Sequence, residues 1–256
     1  MNDSYNKELV PSNSIVEKKE NALALFSGGK DCVYSMQKAL DYYNIIFMTS
    51  IIDGSGNLQL TDGIETDRIL RRAQHLLFNI PNVDFALLIK NNSASESMLN
   101  LCKMIEIFAH SYKCNTIITG DLWHKDGIDK IIQKHTNLKV FSSSLKKCPD
   151  PKAATDYLIN IIHLGIEAVI SGVRNSDLPE DFIGRKLNLD LIKDLKQYPI
   201  DITGENAEYQ TFVTNAPMTK RSMSIKSFDT EKVSGMDLQG HTYTRMKNVT
   251  YHIDTK

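Results

Sequence analysis

The chain has 256 residues, enough for one large domain, or a large and a small one, with a full core. Its 30 Lys and Arg nearly cancel 31 Asp and Glu, which excludes a global field steering it to nucleic acid or an anionic membrane, so neither is an expected partner. No window has the apolar length of a membrane span. The first twenty residues, polar and charged, lack the unbroken apolar run of a signal peptide. The four cysteines, Cys32, Cys102, Cys114 and Cys148, form no C-x-x-C pair, so a zinc knuckle or dithiol motif is not indicated. The expectation is a soluble, cytoplasmic, thiol-reduced protein.

The apolar run ALALF (22–26) stops at Ser-Gly-Gly, the pattern of a buried strand ending in a tight loop. A helix follows with Asp31 near its N-terminus and Val33, Met36 and Leu40 on one face. IIFMTSII (45–52) is a second buried strand, DGSGN (53–57) a turn, and a helix from about Asp62 carries Ile69, Ala73, Leu76 and Leu77 as its stripe. DFALLI (84–89) is a third strand. Met98, Leu101, Cys102, Ile105, Phe108, Ala109 and Tyr112 then repeat at helical spacing, which makes Cys102 core filling. TIITGD (116–121) and LKVF (138–141) are the fourth and fifth strands. This alternation predicts an α/β fold whose five-stranded parallel sheet is covered on both faces.

Beyond KKCPDP (146–151) the pattern changes, and a soft boundary falls near Lys147. A helix from about Lys152 to Leu164 buries Ala154, Tyr157, Leu158, Ile161 and Ile162; EAVISGV reads as a strand, and 187–196 as a short helix. AEYQTFV, RSMSIKSF and HTYTRMKNVTYHI alternate in a β-like manner, predicting an antiparallel C-terminal end and an α+β region.

A strand, a glycine-rich turn and a helix N-terminus bring backbone N–H groups and the positive end of a helix dipole to one point. Gly28 and Gly29 would let the main chain approach phosphate oxygens, Lys30 would add a mobile positive charge, and Ser27 a hydroxyl. The same Gly-Gly pair also fits an ordinary strand-to-helix turn with Lys30 in solvent. The spacing matches neither G-x-x-x-x-G-K-[ST] nor G-x-G-x-x-G, which disfavours a P-loop NTPase or a dinucleotide enzyme.

Ser27, Gly28, Gly29, Lys30, Asp31 and Cys32 resemble the S-G-G-x-D-[ST] pyrophosphatase loop (PP-loop) of ATP-adenylating enzymes such as argininosuccinate, asparagine, GMP and NAD synthetases. In that superfamily the loop holds the β and γ phosphates while an acceptor oxygen attacks the α phosphorus. Cys32 stands where the superfamily has Ser or Thr. A thiol donates more weakly than a hydroxyl, and a helix N-terminus is expected to lower its pKa toward a phosphate-repelling thiolate.

IITGDL (117–122), FIGRKL (182–187) and TGENAEYQTFVTNAPM (203–218) resemble, in that order, segments of the diphthine-ammonia ligase family, with similarity from about residue 22 to about 225. The resemblance implies a sheet of the adenine nucleotide α-hydrolase type over 21–147, a C-terminal substrate region over 148–256 and a polar tail over 1–20. It implies adenylation of a carboxylate by ATP with Mg2+, then amidation by ammonium, the acceptor being diphthine on elongation factor 2. Lys30 and Asp31 would act at the phosphates. Asp121 would bind magnesium or ribose, or simply cap a helix. Glu205, Glu208 and Tyr209 would accept ammonium or the trimethylammonium of diphthine, and Arg185 a carboxylate or a structural ion pair. Their plainer alternative is an acidic turn entering a strand.

The chain departs from the family at Ala207, where the family has Gly, and around Trp123 and His124 after the T-G-D-L segment. Three other readings therefore stand beside diphthine amidation. They are an amide ligase for a small carboxylate, a tRNA-thiolating enzyme using Cys148, and a nucleotide-binding module without chemistry. No metal-ligand spacing identifies a metal site.

Overall fold

The computed structural model describes residues 19–53, 68–87, 94–122, 127–143, 150–234 and 240–256. The predicted N-terminal start of the second helix, the boundary at Lys147, Trp123, His124 and Cys148 lie outside them.

The N-terminal part contains β1 (Glu20–Leu25), α1 (Lys30–Ala39), β2 (Tyr43–Asp53), α2 (Arg68–His75), β3 (Asn82–Leu87), α3 (Ala94–Ser111), β4 (Cys114–Thr119), α4 (Ile128–His135) and β5 (Lys139–Ser142). All five strands are parallel, in the order β3-β2-β1-β4-β5. Strand alternation divides β1 between two faces. Ala22, Ala24 and Phe26 pack with α1 and α2, while Leu23 and Leu25 pack with α3 and α4. Burial on both faces is why these strands read as apolar runs rather than alternating ones. The chain order reverses between β1 and β4, and a parallel sheet opens a crevice beyond the carboxyl ends of its strands at such a point.

The C-terminal part contains α5 (Pro151–His163), β6 (Glu167–Arg174), a single 3-10 turn (Glu180–Phe182), α6 (Leu189–Leu195), β7 (Tyr209–Asn215), β8 (Arg221–Ser234) and β9 (Thr242–Thr255). Its four strands form an antiparallel sheet in the order β7-β6-β9-β8. Asp150 caps α5 by accepting the Ala153 N–H at 2.8 Å, and Pro151 occupies the first turn, where a missing N–H is harmless. The buried stripe of α5, Ala154, Tyr157, Leu158 and Ile161, belongs to the same apolar cluster as Ala22, Val33 and Met36. One core therefore joins the two sheets on the α1 side.

Two helix stripes end differently from the prediction. Leu76 is exposed because α2 stops at His75 and the helical period no longer applies, whereas Leu77 is buried in the turn that follows. Tyr112, just past α3, is partly exposed, yet its ring lies 4.6 Å from that of Phe47. Among the described residues no helix is long and apolar enough to cross a membrane.

Candidate active site

The turn from β1 to α1 is fixed from both halves of the chain. Gly28 has φ +85, which favours glycine, and a Cβ there would fall 2.1 Å from Gln74 Oε1 and force that side chain to shift. Gln74, buried on α2, donates its amide to the carbonyls of Gly28 at 2.7 Å and Val213 at 2.8 Å. The Val213 N–H donates back to the Gly28 carbonyl at 3.0 Å. β7 is thus laid along the loop. Gly29 caps α1 with extended backbone, and its N–H donates weakly to Ser27 Oγ at 3.4 Å.

Lys30 is the first residue of α1 and is only 3 % exposed. Its backbone N–H donates to Thr211 Oγ1 at 3.0 Å. Its ammonium donates to Asp31 Oδ2 at 2.8 Å and the Thr203 carbonyl at 2.6 Å, and lies 5.3 Å from the centre of the Tyr209 ring. Burial opposes this charge, but Asp31 and Tyr209 outweigh it, and the ammonium is held above its ordinary pKa. The other oxygen of Asp31 accepts the Tyr157 hydroxyl at 3.0 Å, so α5 also reaches the loop.

Gly120 and Asp121 bring the end of β4 to the same place. A Cβ at Gly120 would meet the Cys32 backbone nitrogen at 2.5 Å, so glycine lets β4 touch the first turn of α1. Asp121 Oδ2 accepts the Asp129 N–H at 3.0 Å, which caps the first turn of α4 from outside the helix. The capping reading of Asp121 is thereby seen directly. Burial and the neighbouring Asp129 push the Asp121 carboxyl up to about 6, against the hydrogen bonds it accepts. Glu205 Oε1 accepts the Leu122 N–H at 3.1 Å, bridging the acidic loop to β4. Burial, then Asp31 and Asp121, push Glu205 up to about 8 despite Lys30.

Ser27, Gly28, Gly29, Lys30, Asp31, Cys32, Asp121, Glu205 and Tyr209 therefore gather beyond the carboxyl ends of β1 and β4. Cys32 does not behave as expected. It is 4 % exposed, its thiol donates to the Gly29 carbonyl at 3.2 Å, and burial pushes its pKa up. Desolvation outweighs the hydrogen bonds from Ser27 and Gly28 that favour the thiolate, so the thiol is shifted upward rather than activated.

Glu208 and Tyr209 shape the acidic loop from within. Glu208, 3 % exposed, accepts from the N–H groups of Asp201 at 3.1 Å and Asn206 at 3.0 Å and from the Asn206 amide at 3.1 Å. Burial holds its carboxyl above the usual range. Tyr209 donates to the Ile202 carbonyl at 2.6 Å and offers its ring face to Lys30, the position the sequence reading reserved for a substrate cation. Arg185 stands apart, paired with Asp194 and stacked 4.8 Å from the Phe182 ring centre. The ion-pair reading of Arg185 is the one its geometry displays.

Sequence reasoning missed Gln74, Thr203, Thr211 and the hydroxyl of Tyr157. Tyr157 carried a usable signal, since a buried tyrosine needs a partner for its O–H. Gln74 acts across 46 positions of chain, where no local pattern marks it; Thr203 and Thr211 lie inside the 203–218 segment, but their contacts with Lys30, 173 and 181 positions away, leave no local trace.

No group of three His, Cys, Asp or Glu residues among those described is arranged to hold a metal. Magnesium, which keeps waters and needs only one or two carboxylates beside substrate phosphates, still fits the donor set, because the second oxygen of Glu205 is uncommitted among the described residues.

Residues 153–245 match the family model described as "Diphthamide synthase C-terminal domain". Among solved structures, one described as a "predicted subunit of tRNA methyltransferase" from Methanocaldococcus jannaschii is 14% identical, covers 77% of this chain and 98% of its own, and has a TM-score of 0.37. No curated protein matches.

Proposed function

We propose that this chain, whose residues 153–245 are of the diphthamide synthase C-terminal type, is an ATP-dependent, AMP-forming carboxylate-ammonia ligase acting on diphthine of elongation factor 2 or a related carboxylate. The observation that carries the reading is this gathering of residues. A glycine loop at a helix N-terminus, with a buried lysine, meets the carboxyl groups of Asp121 and Glu205 at the switch point of a parallel sheet.

In this reading the triphosphate enters the loop and Lys30 turns from Asp31 and Thr203 toward it. An acceptor carboxylate oxygen attacks the α phosphorus, the bond to the bridging oxygen breaks, and pyrophosphate leaves with the electron pair. Ammonia then attacks the acyl carbon of the mixed anhydride and AMP departs. A proton leaves the nitrogen and passes to solvent. Magnesium, held by the phosphates with Glu205 as a protein oxygen, would neutralise charge on the leaving group. Little covalent chemistry falls to the protein, which supplies position and charge.

Product analysis with ATP, Mg2+, ammonium and diphthine-bearing elongation factor 2 tests the reading. AMP and pyrophosphate formed only with that acceptor support it; AMP formed only with a small carboxylate would move the substrate; ADP and phosphate would overturn the chemistry. Lys30→Met should lower the rate by about 100-fold or more, the usual effect of removing one transition-state charge contact. It also strips Asp31 of its buried cation, so a loss of about 2–4 kcal/mol in folding stability is expected and must be measured beside the rate.

A further inference from the structure

We propose that Thr211, on β7 of the C-terminal sheet, is a phosphate-contacting residue of the nucleotide site, supplying at the N-terminus of α1 the hydroxyl donor that Cys32 does not. The inference rests on the reading that the loop binds a nucleoside triphosphate.

Four observations lead to it. Cys32 turns its weak donor back onto the Gly29 carbonyl of its own loop, so the third position of the helix offers no hydroxyl to a ligand. Thr211 Oγ1 accepts the Lys30 N–H, the first amide of α1. It also lies 3.6 Å from where a Cβ on Gly29 would sit, with only the glycine hydrogens between. A hydroxyl that accepts one bond keeps its own hydrogen, and no described residue accepts it. The amide is thus extended by one bond: Lys30 N–H donates to Oγ1, and the polarised O–H donates onward.

Thr211 is also held rigidly for this role. It is 9 % exposed, and two residues on, Val213 donates its N–H to Gly28 and accepts the Gln74 amide. The C-terminal sheet therefore contributes a polar group to the phosphate loop as well as an acidic loop beside it.

The test is binding of ATP, inorganic pyrophosphate and adenosine to the full-length protein, wild type against Thr211→Val, Thr211→Ser and Thr211→Val/Cys32→Ser. Thr211→Val should weaken ATP and pyrophosphate about tenfold, the value of one hydrogen bond to a charged acceptor, and leave adenosine unchanged. Serine at 211 should restore binding, and serine at 32 should restore part of it. Equal ATP affinity in wild type and Thr211→Val, or an equal loss for adenosine, would overturn the proposal in favour of a purely structural cap. Should the valine variant fail to fold, the threonine methyl resonance of Thr211 in the wild-type protein gives the answer, because saturating pyrophosphate must shift it. Pyrophosphate that binds without moving it contradicts the assignment. A wild-type protein that binds neither ATP nor pyrophosphate would instead overturn the nucleotide reading, and this inference with it.

Discussion

At the scale of single residues, Ala207 shows how a departure from a family pattern becomes a physical quantity. It has φ +64, in the left-handed region where a Cβ costs about 1–2 kcal/mol, while glycine would give back part of that through unfolded-chain entropy. Ala207→Gly should therefore stabilise the protein by about 0.5–1 kcal/mol, seen as a higher urea midpoint. Glu205 gives a pH signature. Its pKa is raised in the folded state, to about 8, so the folded protein holds that proton more tightly than the unfolded chain does. Its contribution is fully present below the ordinary carboxyl pKa and is lost as pH rises through about 8. The melting temperature of the nucleotide-free protein should fall as pH rises from about 4.5 to about 8 and level off above, and Glu205→Gln should flatten that fall. His75 works in the opposite sense. Burial, with Arg71 nearby, lowers it to about 4, so its contribution is lost as pH drops from the ordinary histidine range toward about 4.

At the scale of elements, the strands and helices of the N-terminal half were legible in the sequence because the parallel sheet is buried on both faces. ALALF and TIIT are apolar runs for that reason, and α3 shows its stripe over its whole length. The loop residues 27–32 were legible as well, as a strand, two glycines and a helix start. Their environment was not. Local sequence cannot say that Cys32 is desolvated rather than activated, or that the face of Tyr209 is already covered by Lys30. The second depends on β7 and the 201–208 loop, which arrive from the far end of the chain. The contact between β4 and α1 is equally silent until the backbone distance is known. Gly120→Ala would place a methyl group 2.5 Å from a backbone nitrogen. It should cost about 2–3 kcal/mol by overpacking and weaken nucleotide binding in parallel, measured by denaturation and titration on the same preparation.

At the scale of the whole molecule, the two sheets are not two independent bodies joined by a linker. α5 shares the core under α1, Tyr157 reaches Asp31, and Lys220 donates its N–H to the Leu77 carbonyl at 2.8 Å. A fragment comprising residues 1–150 keeps the glycine loop but loses Thr203, Thr211, Glu205 and more than half of the apolar cluster. It is expected not to bind ATP, and the intact chain to unfold in one transition reported alike by far-UV and near-UV circular dichroism. A nucleotide-binding fragment would show that the C-terminal sheet is dispensable to the site. The sequence pointed to a change of architecture near Lys147, where a parallel pattern gives way to an antiparallel one. It did not disclose that the later part packs Thr203, Glu205 and Thr211 against the earlier part's glycine loop and β4.

The central claim is that a carboxylate oxygen attacks the α phosphorus of ATP held at this loop. It is tested most directly with an acceptor whose carboxylate carries oxygen-18, incubated with ATP, Mg2+, ammonium and the full-length protein. The account predicts one labelled oxygen in the AMP released, because the acyl-adenylate breaks between carbon and the oxygen the acceptor supplied. Label in inorganic phosphate, or AMP released without label while the amide forms, would contradict it.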